Sequence, residues 1–248
     1  MLREEAARLL AEEGIRLPGL ARALGERARP MLDAAYDMDW AGGEVPVLAA
    51  EYEDKLDVGE APGRLRHVLF RADRVDLGAG GLVIWTDYKT GKPVSKARKP
   101  ETRRRDFLRR VQSGSHLQAV AYLLGSEGES KGRYLFLRPG IEQEARELSV
   151  TGDDHDFILA FATASEAVLA AWEVGSFFPR LVEPDGRKEP GRCGFCAVAE
   201  GCLRGDSGSR LRLSHWTASV PANLEEEALL RVWRLWEKPA AAEGGGQA

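Results

Sequence analysis

A chain of 248 residues with 44% hydrophobic content can bury one sizeable core, with room for a small appended module but not for two full domains. A net charge of -4 and a pI near 5.7 exclude a whole-surface electrostatic grip on nucleic acid, so any such contact must come from a local basic patch. No run of about 20 apolar residues exists and the Met1-Leu2-Arg3-Glu4-Glu5 start lacks the apolar stretch of a secretory signal, so the expectation is a cytoplasmic protein without membrane contact.

Leu2, Ala6, Leu9 and Leu10 recur at helical spacing up to Gly14, and a second helical stretch opens near Pro18. From Val45 the character changes. Val47 to Leu56, His67 to Asp76 and Leu82 to Lys89 read as strands, the last two joined by the turn Gly78-Ala79-Gly80-Gly81, and together they predict a β-meander. Lys92 to Arg110 is the most basic stretch, with Lys96, Arg98, Lys99, Arg103, Arg104, Arg105, Arg109 and Arg110 against Glu101 and Asp106. A helix over about Ser115 to Leu124, strands over Arg133 to Leu137 and Glu142 to Val150, and a long helix over about Asp154 to Val174 follow, giving the order ααβββαββα. Beyond them come three clustered cysteines, a short helix near Leu224 to Trp236 and a Pro/Ala/Gly tail expected to be disordered. The divisions are N-terminal helices over 1–44, a core over 45–180, a cysteine lobe over 181–215, and a last helix with its tail over 216–248.

The turn sets a register. If Gly78 pairs with Leu82, paired residue numbers sum to 160 and Asp73 lies directly opposite Asp87. Directly opposed positions bring Cβ atoms to about 4.5–5.5 Å, close enough for two carboxylates to share a divalent cation and repulsive without one. Lys89, two residues after Asp87, projects from the same face, while the side chain of Tyr88 points to the other. Two carboxylates and a lysine suit a hard cation such as Mg²⁺ or Mn²⁺ and the hydrolysis of a phosphodiester. Glu51, on the preceding strand, is a further candidate near the cation or, equally, a surface carboxylate.

Arg71-Ala72-Asp73-Arg74-Val75-Asp76, Thr86-Asp87-Tyr88-Lys89-Thr90-Gly91-Lys92 and Gln118-Ala119-Val120-Ala121-Tyr122 resemble, in family order, the second and third nuclease motifs and the Gln-x-x-x-Tyr motif of RecB-like and AddB-like nucleases of the PD-(D/E)XK superfamily. The resemblance implies an α/β fold, a mixed sheet flanked by helices. It implies that Asp73 and Asp87 ligate the metal with help from the Tyr88 carbonyl, that Lys89 is the catalytic lysine, and that Gln118 and Tyr122 shape the DNA-binding side. The substrate it implies is DNA, cleaved by an exonuclease working with a helicase subunit or fused motor in repair, recombination or defence. Arg103, Arg104 and Arg105, in the basic stretch after Lys89, are the expected phosphate contacts.

Cys193, Cys196 and Cys202 give C-x2-C-x5-C, a spacing that lets thiolates converge on one metal or cluster. It is similar to the C-terminal part of the iron-sulfur staple of AddB-type and CRISPR-associated RecB-like nucleases, which implies a structural [4Fe-4S] cluster. Zinc with a histidine is the alternative. Two family features are missing: no cysteine precedes Cys193, and the first histidine is His67, six residues before Asp73 and too far along the strand to join it. Either the chain is a truncated or split nuclease domain completed by a partner, or it is a diverged one. His116, expected on a helix surface, is a candidate substitute. The rival readings are a catalytically weak DNA-binding scaffold and a zinc-binding interaction protein.

Overall fold

Five strands hydrogen-bond in the order β1-β2-β3-β4-β5: β1 (Val47–Ala61), β2 (Arg64–Leu77), β3 (Val83–Lys89), β4 (Ser130–Phe136) and β5 (Glu147–Thr151). The computed structural model describes residues 1–17, 19–40, 45–61, 64–175, 196–197, 208, 211–212, 215–216, 219 and 227–236. The three strands β1 to β3 form the expected antiparallel meander, β3 and β4 run parallel, and β5 returns antiparallel, so the sheet is mixed. A parallel neighbour requires a crossover, and the segment between β3 and β4 supplies it with α3 (Pro100–Gln112) and α4 (Gln118–Gly125).

The crossover helices cover one face of the central strands and α2 (Leu20–Asp39) covers the other, so both faces are buried. On one face, Val75, Trp85, Tyr134, Phe136, Leu148 and Val150 pack with Phe107 and Val111 of α3, Ala119 to Leu123 of α4 and Phe157 and Phe161 of α5 (His155–Glu173). On the other, Tyr88, Leu135 and Leu137 meet Met31, Ala34, Ala35 and Met38 of α2. We call these the front and rear faces. Helix α1 (Leu2–Glu12) packs on α2. The chain divides into two compact units, residues 1–162 and 163–248. The second contains Ala167 and Ala171 of α5 packed with Val232 and Leu235 of α6 (Glu227–Trp236). No helix among the described residues is long and apolar enough to cross a membrane.

Three elements depart from the sequence expectations. The β1–β2 hairpin is longer, because Gly59, with φ of 108°, is absorbed at a register shift between Asp57 and Glu60 and does not end the strand. The basic stretch contains a helix, α3. Pro100 sits at its start, where a missing N–H costs nothing, and Arg109 and Arg110 lie in its last turn, where they complement the helix dipole. Residues 143–145 form a single 3₁₀ turn and β5 begins only at Glu147.

Candidate metal centre

The turn after β2 positions the site. Gly80 and Gly81 take φ of 71° and 89°, a left-handed conformation that costs glycine no steric strain, and the N–H of Gly78 donates to the Leu82 carbonyl at 2.8 Å. The ladder then pairs Leu77 with Val83, Asp76 with Ile84, Val75 with Trp85 and Arg74 with Thr86, each pair summing to 160. One position further lie Asp73 and Asp87. Here the strands part: the Tyr88 N–H donates to Asp73 Oδ2 at 2.6 Å, to a side chain in place of a backbone carbonyl.

Asp87 is buried, and its Oδ2 receives no hydrogen bond of ordinary geometry; it forms an ion pair with Lys89 Nζ. Lys89 Nζ also donates to Gln118 Oε1 at 3.1 Å and lies 5.4 Å from the centre of the Tyr134 ring. Burial pushes the Asp87 carboxyl above its ordinary 3.8; Lys89 pulls it down and Asp73 adds to the rise. A buried carboxylate oxygen short of donors beside a second carboxylate is an environment that a divalent cation would relieve.

That shift has a sign that can be checked. With the folded-state value above the unfolded one, the folded chain holds more protons in the window above 3.8, so Asp87 costs stability at neutral pH and the cost disappears as pH falls towards 3.8. Without metal, Asp87→Asn is therefore expected to melt higher than wild type at pH 7, with the gap closing on acidification. Melting curves from pH 7 to 4 test this, and a gap that does not change with pH would refute it.

The donors suit Mg²⁺ or Mn²⁺. Among the described residues no group of three or more His, Cys, Asp or Glu side chains is placed to hold a metal ion. Mg²⁺, however, is commonly held by one or two carboxylates plus waters and substrate phosphate, without a full protein cage. Asp73 and Asp87 would be those two carboxylates.

The other expected site residues are placed as follows. Gln118, exposed at the start of α4, reaches the front face through Lys89. Tyr122, one helical turn on, has no exposed surface; its ring stacks on Trp85 with centroids 6.1 Å apart and its hydroxyl donates to the Arg71 carbonyl at 2.7 Å. It fixes α4 against β2 from within and presents nothing to a ligand. Glu51 is exposed and accepts from Arg71 at 2.7 Å, with φ of 51°. His116 is not on a helix surface: it precedes α4 with φ of 57°, its ring edge-on to Tyr134 at 5.7 Å.

The arginines of the basic stretch differ in what they face. Arg103 is buried, its guanidinium donating to the Ala97 and Arg98 carbonyls at 3.2 and 2.6 Å, so it pins the loop before α3. Arg104 is taken up by Asp154 and Asp156 at 2.6 and 2.8 Å and lies over the Phe157 ring, an α3–α5 clamp that holds the Asp156 carboxyl below its ordinary range. Burial takes Arg103 out of reach of a phosphate, and Arg104, half exposed, already has two acids as partners; a charge run looks solvated until its partners are known. Arg105, with Lys96, Lys99 and Arg110, is exposed and forms no ion pair among the described residues.

What sequence reasoning missed is a set of charges inside the rear face. Asp39 of α2, whose side chain is 1% exposed, accepts from Arg133 at 2.5 Å, Arg74 at 3.0 Å and the Tyr88 hydroxyl at 2.9 Å. Arg74 also bonds Asp76 at 2.7 Å and the Tyr88 hydroxyl at 2.7 Å, and its guanidinium lies 4.1 Å from the Trp40 ring centre. Arg133 adds Thr86 at 2.8 Å and Glu147 at 3.3 Å. The available signal was the parity of Arg74 and Asp76, charged positions alternating with Asp73 and Val75 on a strand buried on both sides.

A family model of the PD-(D/E)XK nuclease superfamily matches residues 1–203. The chain belongs to that superfamily, and its mixed sheet flanked by helices accords with the restriction-endonuclease-like α/β fold. No curated protein matches the chain.

Proposed function

We propose that this chain is a Mg²⁺- or Mn²⁺-dependent deoxyribonuclease that hydrolyses DNA from an end. The observation that carries this reading is Asp73 and Asp87 meeting at the parting of β2 and β3, with Lys89 held between Asp87 and Gln118. The cation, once bound, would supply Lewis-acid polarisation of the scissile phosphodiester. Asp73 and Asp87 bind it, and the Tyr88 N–H orients the Asp73 carboxylate. Lys89 brings a fixed positive charge and N–H donors to where negative charge grows on phosphate, or aligns the attacking water. Gln118 restricts the long lysine side chain, so little orientational freedom is lost on reaction. Arg105 and its exposed neighbours Lys96, Lys99 and Arg110 would hold backbone phosphates.

By its likeness to RecB-like and AddB-like nucleases the enzyme would work beside a helicase in repair, recombination or defence, and Cys193, Cys196 and Cys202 would hold a structural iron-sulfur cluster. Cys193 and Cys202 lie outside the described residues, and Cys196 is exposed and forms no disulfide among the described residues. A second reading, a DNA-binding scaffold with weakened catalysis, rests on the want of a third protein ligand among the described residues.

The deciding experiment offers the purified chain linear end-labelled DNA, single- and double-stranded, and covalently closed circles, with and without Mn²⁺. The expected result is metal-dependent loss of the linear species with the circles spared. Cutting of the circles would overturn the exonuclease reading, and no cutting of any substrate would favour the scaffold. Visible absorbance of the same preparation separates an iron-sulfur cluster from colourless zinc.

A further inference from the structure

Side chains alternate between faces along β3, and along β2 from Asp73 to Asp76, so each proposed catalytic group on the front has a chain neighbour on the rear. Arg74 follows Asp73; Thr86 and Tyr88 flank Asp87; Tyr88 also precedes Lys89. All three rear residues end on one side chain. Arg74 and the Tyr88 hydroxyl reach Asp39 Oδ2 at 3.0 and 2.9 Å, and Thr86 is tied to Asp39 Oδ1 through Arg133, at 2.8 and then 2.5 Å. We infer that Asp39, with Tyr88 as its link, is a positioning residue for the metal centre on the opposite face of the sheet.

The inference rests on the proposed metal-dependent nuclease. Its physical basis is that β2 and β3 no longer pair backbone to backbone beyond Arg74 and Thr86, so the ladder does not itself fix the spacing of Asp73 from Asp87. Asp39 spans that gap from behind. It holds Arg74 on β2 and Tyr88 on β3 with the same carboxylate oxygen, and a buried carboxylate satisfied by two guanidinium groups and a hydroxyl has one well-defined geometry. Carboxylates whose spacing is fixed in advance pay less to close around a cation than carboxylates that must be gathered. Asp39 touches neither metal nor substrate in this arrangement. Its effect passes through two strands.

The test compares wild type with Asp39→Asn, Tyr88→Phe and Val150→Ala in Mn²⁺ titrations followed by calorimetry, with melting curves of each. Tyr88→Phe removes one hydroxyl and leaves the Asp39–Arg74 and Asp39–Arg133 pairs, so it keeps the test open if Asp39→Asn fails to fold. Val150→Ala trims a buried front-face side chain away from the network and serves as the purely structural control. Positioning predicts that Tyr88→Phe weakens Mn²⁺ binding by about five- to tenfold, near the lower end of what outer partners of metal ligands contribute. Val150→Ala should lower the melting temperature and leave Mn²⁺ affinity within twofold of wild type, by the same comparison. If Tyr88→Phe binds Mn²⁺ as wild type does, Asp39 and Tyr88 only hold the fold together and the inference fails by itself. If wild type binds no Mn²⁺, the metal-centre reading fails first and takes the inference with it.

Discussion

Lys89→Ala is expected to lower metal-dependent DNA cleavage by about 10²- to 10³-fold while leaving Mn²⁺ binding intact, and Asp87→Ala is expected to abolish both. The two variants separate the roles that the geometry assigns. In the proposed function Lys89 would bring charge to the reacting phosphate, an effect on the transition state, so its loss would belong in kcat and not in metal affinity. In the same proposal Asp87 would be one of two carboxylates for the cation, and with one left there would be no shared site. A ligand bound only by the folded chain stabilises it by about 2.7 kcal/mol at a hundredfold excess over Kd, so wild type and Lys89→Ala should melt higher with Mn²⁺ and Asp87→Ala should not. Melting curves, calorimetry and single-turnover cleavage on one preparation of each protein check the set. Metal-dependent cleavage retained by Asp87→Ala would remove this hairpin from the chemistry.

The other large effect concerns a position with no functional group. A Cβ built on Gly132 of β4 would lie 1.9 Å from the Ala119 carbonyl oxygen and 2.8 Å from its carbon. Both are backbone atoms of α4, so no side chain can turn aside to make room. Gly132→Ala therefore forces α4 off the sheet and is expected to cost about 3 kcal/mol or more, at or beyond the upper end of ordinary overpacking. Gln118 begins α4, so the displacement carries the partner of Lys89 with it. Denaturant unfolding should show the loss, and whatever folded protein remains should have reduced kcat. A Gly132→Ala protein with wild-type stability would mean that α4 does not rest on β4 as described.

The hairpin carrying the acids was legible in the sequence because two strong local rules met there. The glycine turn fixed the pairing sum, which holds from Leu77 and Val83 to Arg74 and Thr86, and the two-residue period of strands fixed the face. The expected direct pairing of Asp73 with Asp87 lies one step past the end of that ladder, where the Tyr88 N–H bonds the Asp73 side chain instead. Helix α3 was hidden by its composition: Phe107, Leu108 and Val111 are too few beside its charges to mark an apolar stripe, although Phe107 and Val111 are fully buried. The fates of Arg103 and Arg104 were hidden for a different reason. Their partners, two backbone carbonyls and the acids Asp154 and Asp156, are set by how α3 docks, and a run of arginines reads alike whether it faces solvent, acids or phosphate. Asp39 lay furthest from view. It stands 35 residues before Arg74, at the end of a helix, and nothing local distinguishes it from Asp33 or Asp37.

The turn between β2 and β3 is exposed, and exposed turns ordinarily accept insertions and deletions at little cost. This one is a phase setting. Adding or removing one residue between Leu77 and Leu82 while the strands stay paired would shift β3 by one step against β2 and exchange its two sides. Asp87 and Lys89 would then face the helix that now covers Tyr88, and Tyr88 would stand among Tyr134 and the front-face aromatics. The charged cluster around Asp39 and the candidate metal centre would be dismantled by the same single-residue change. Loop length is thus constrained more tightly than loop sequence, and chemistry and foldedness are coupled at a position that contacts neither the metal nor the core.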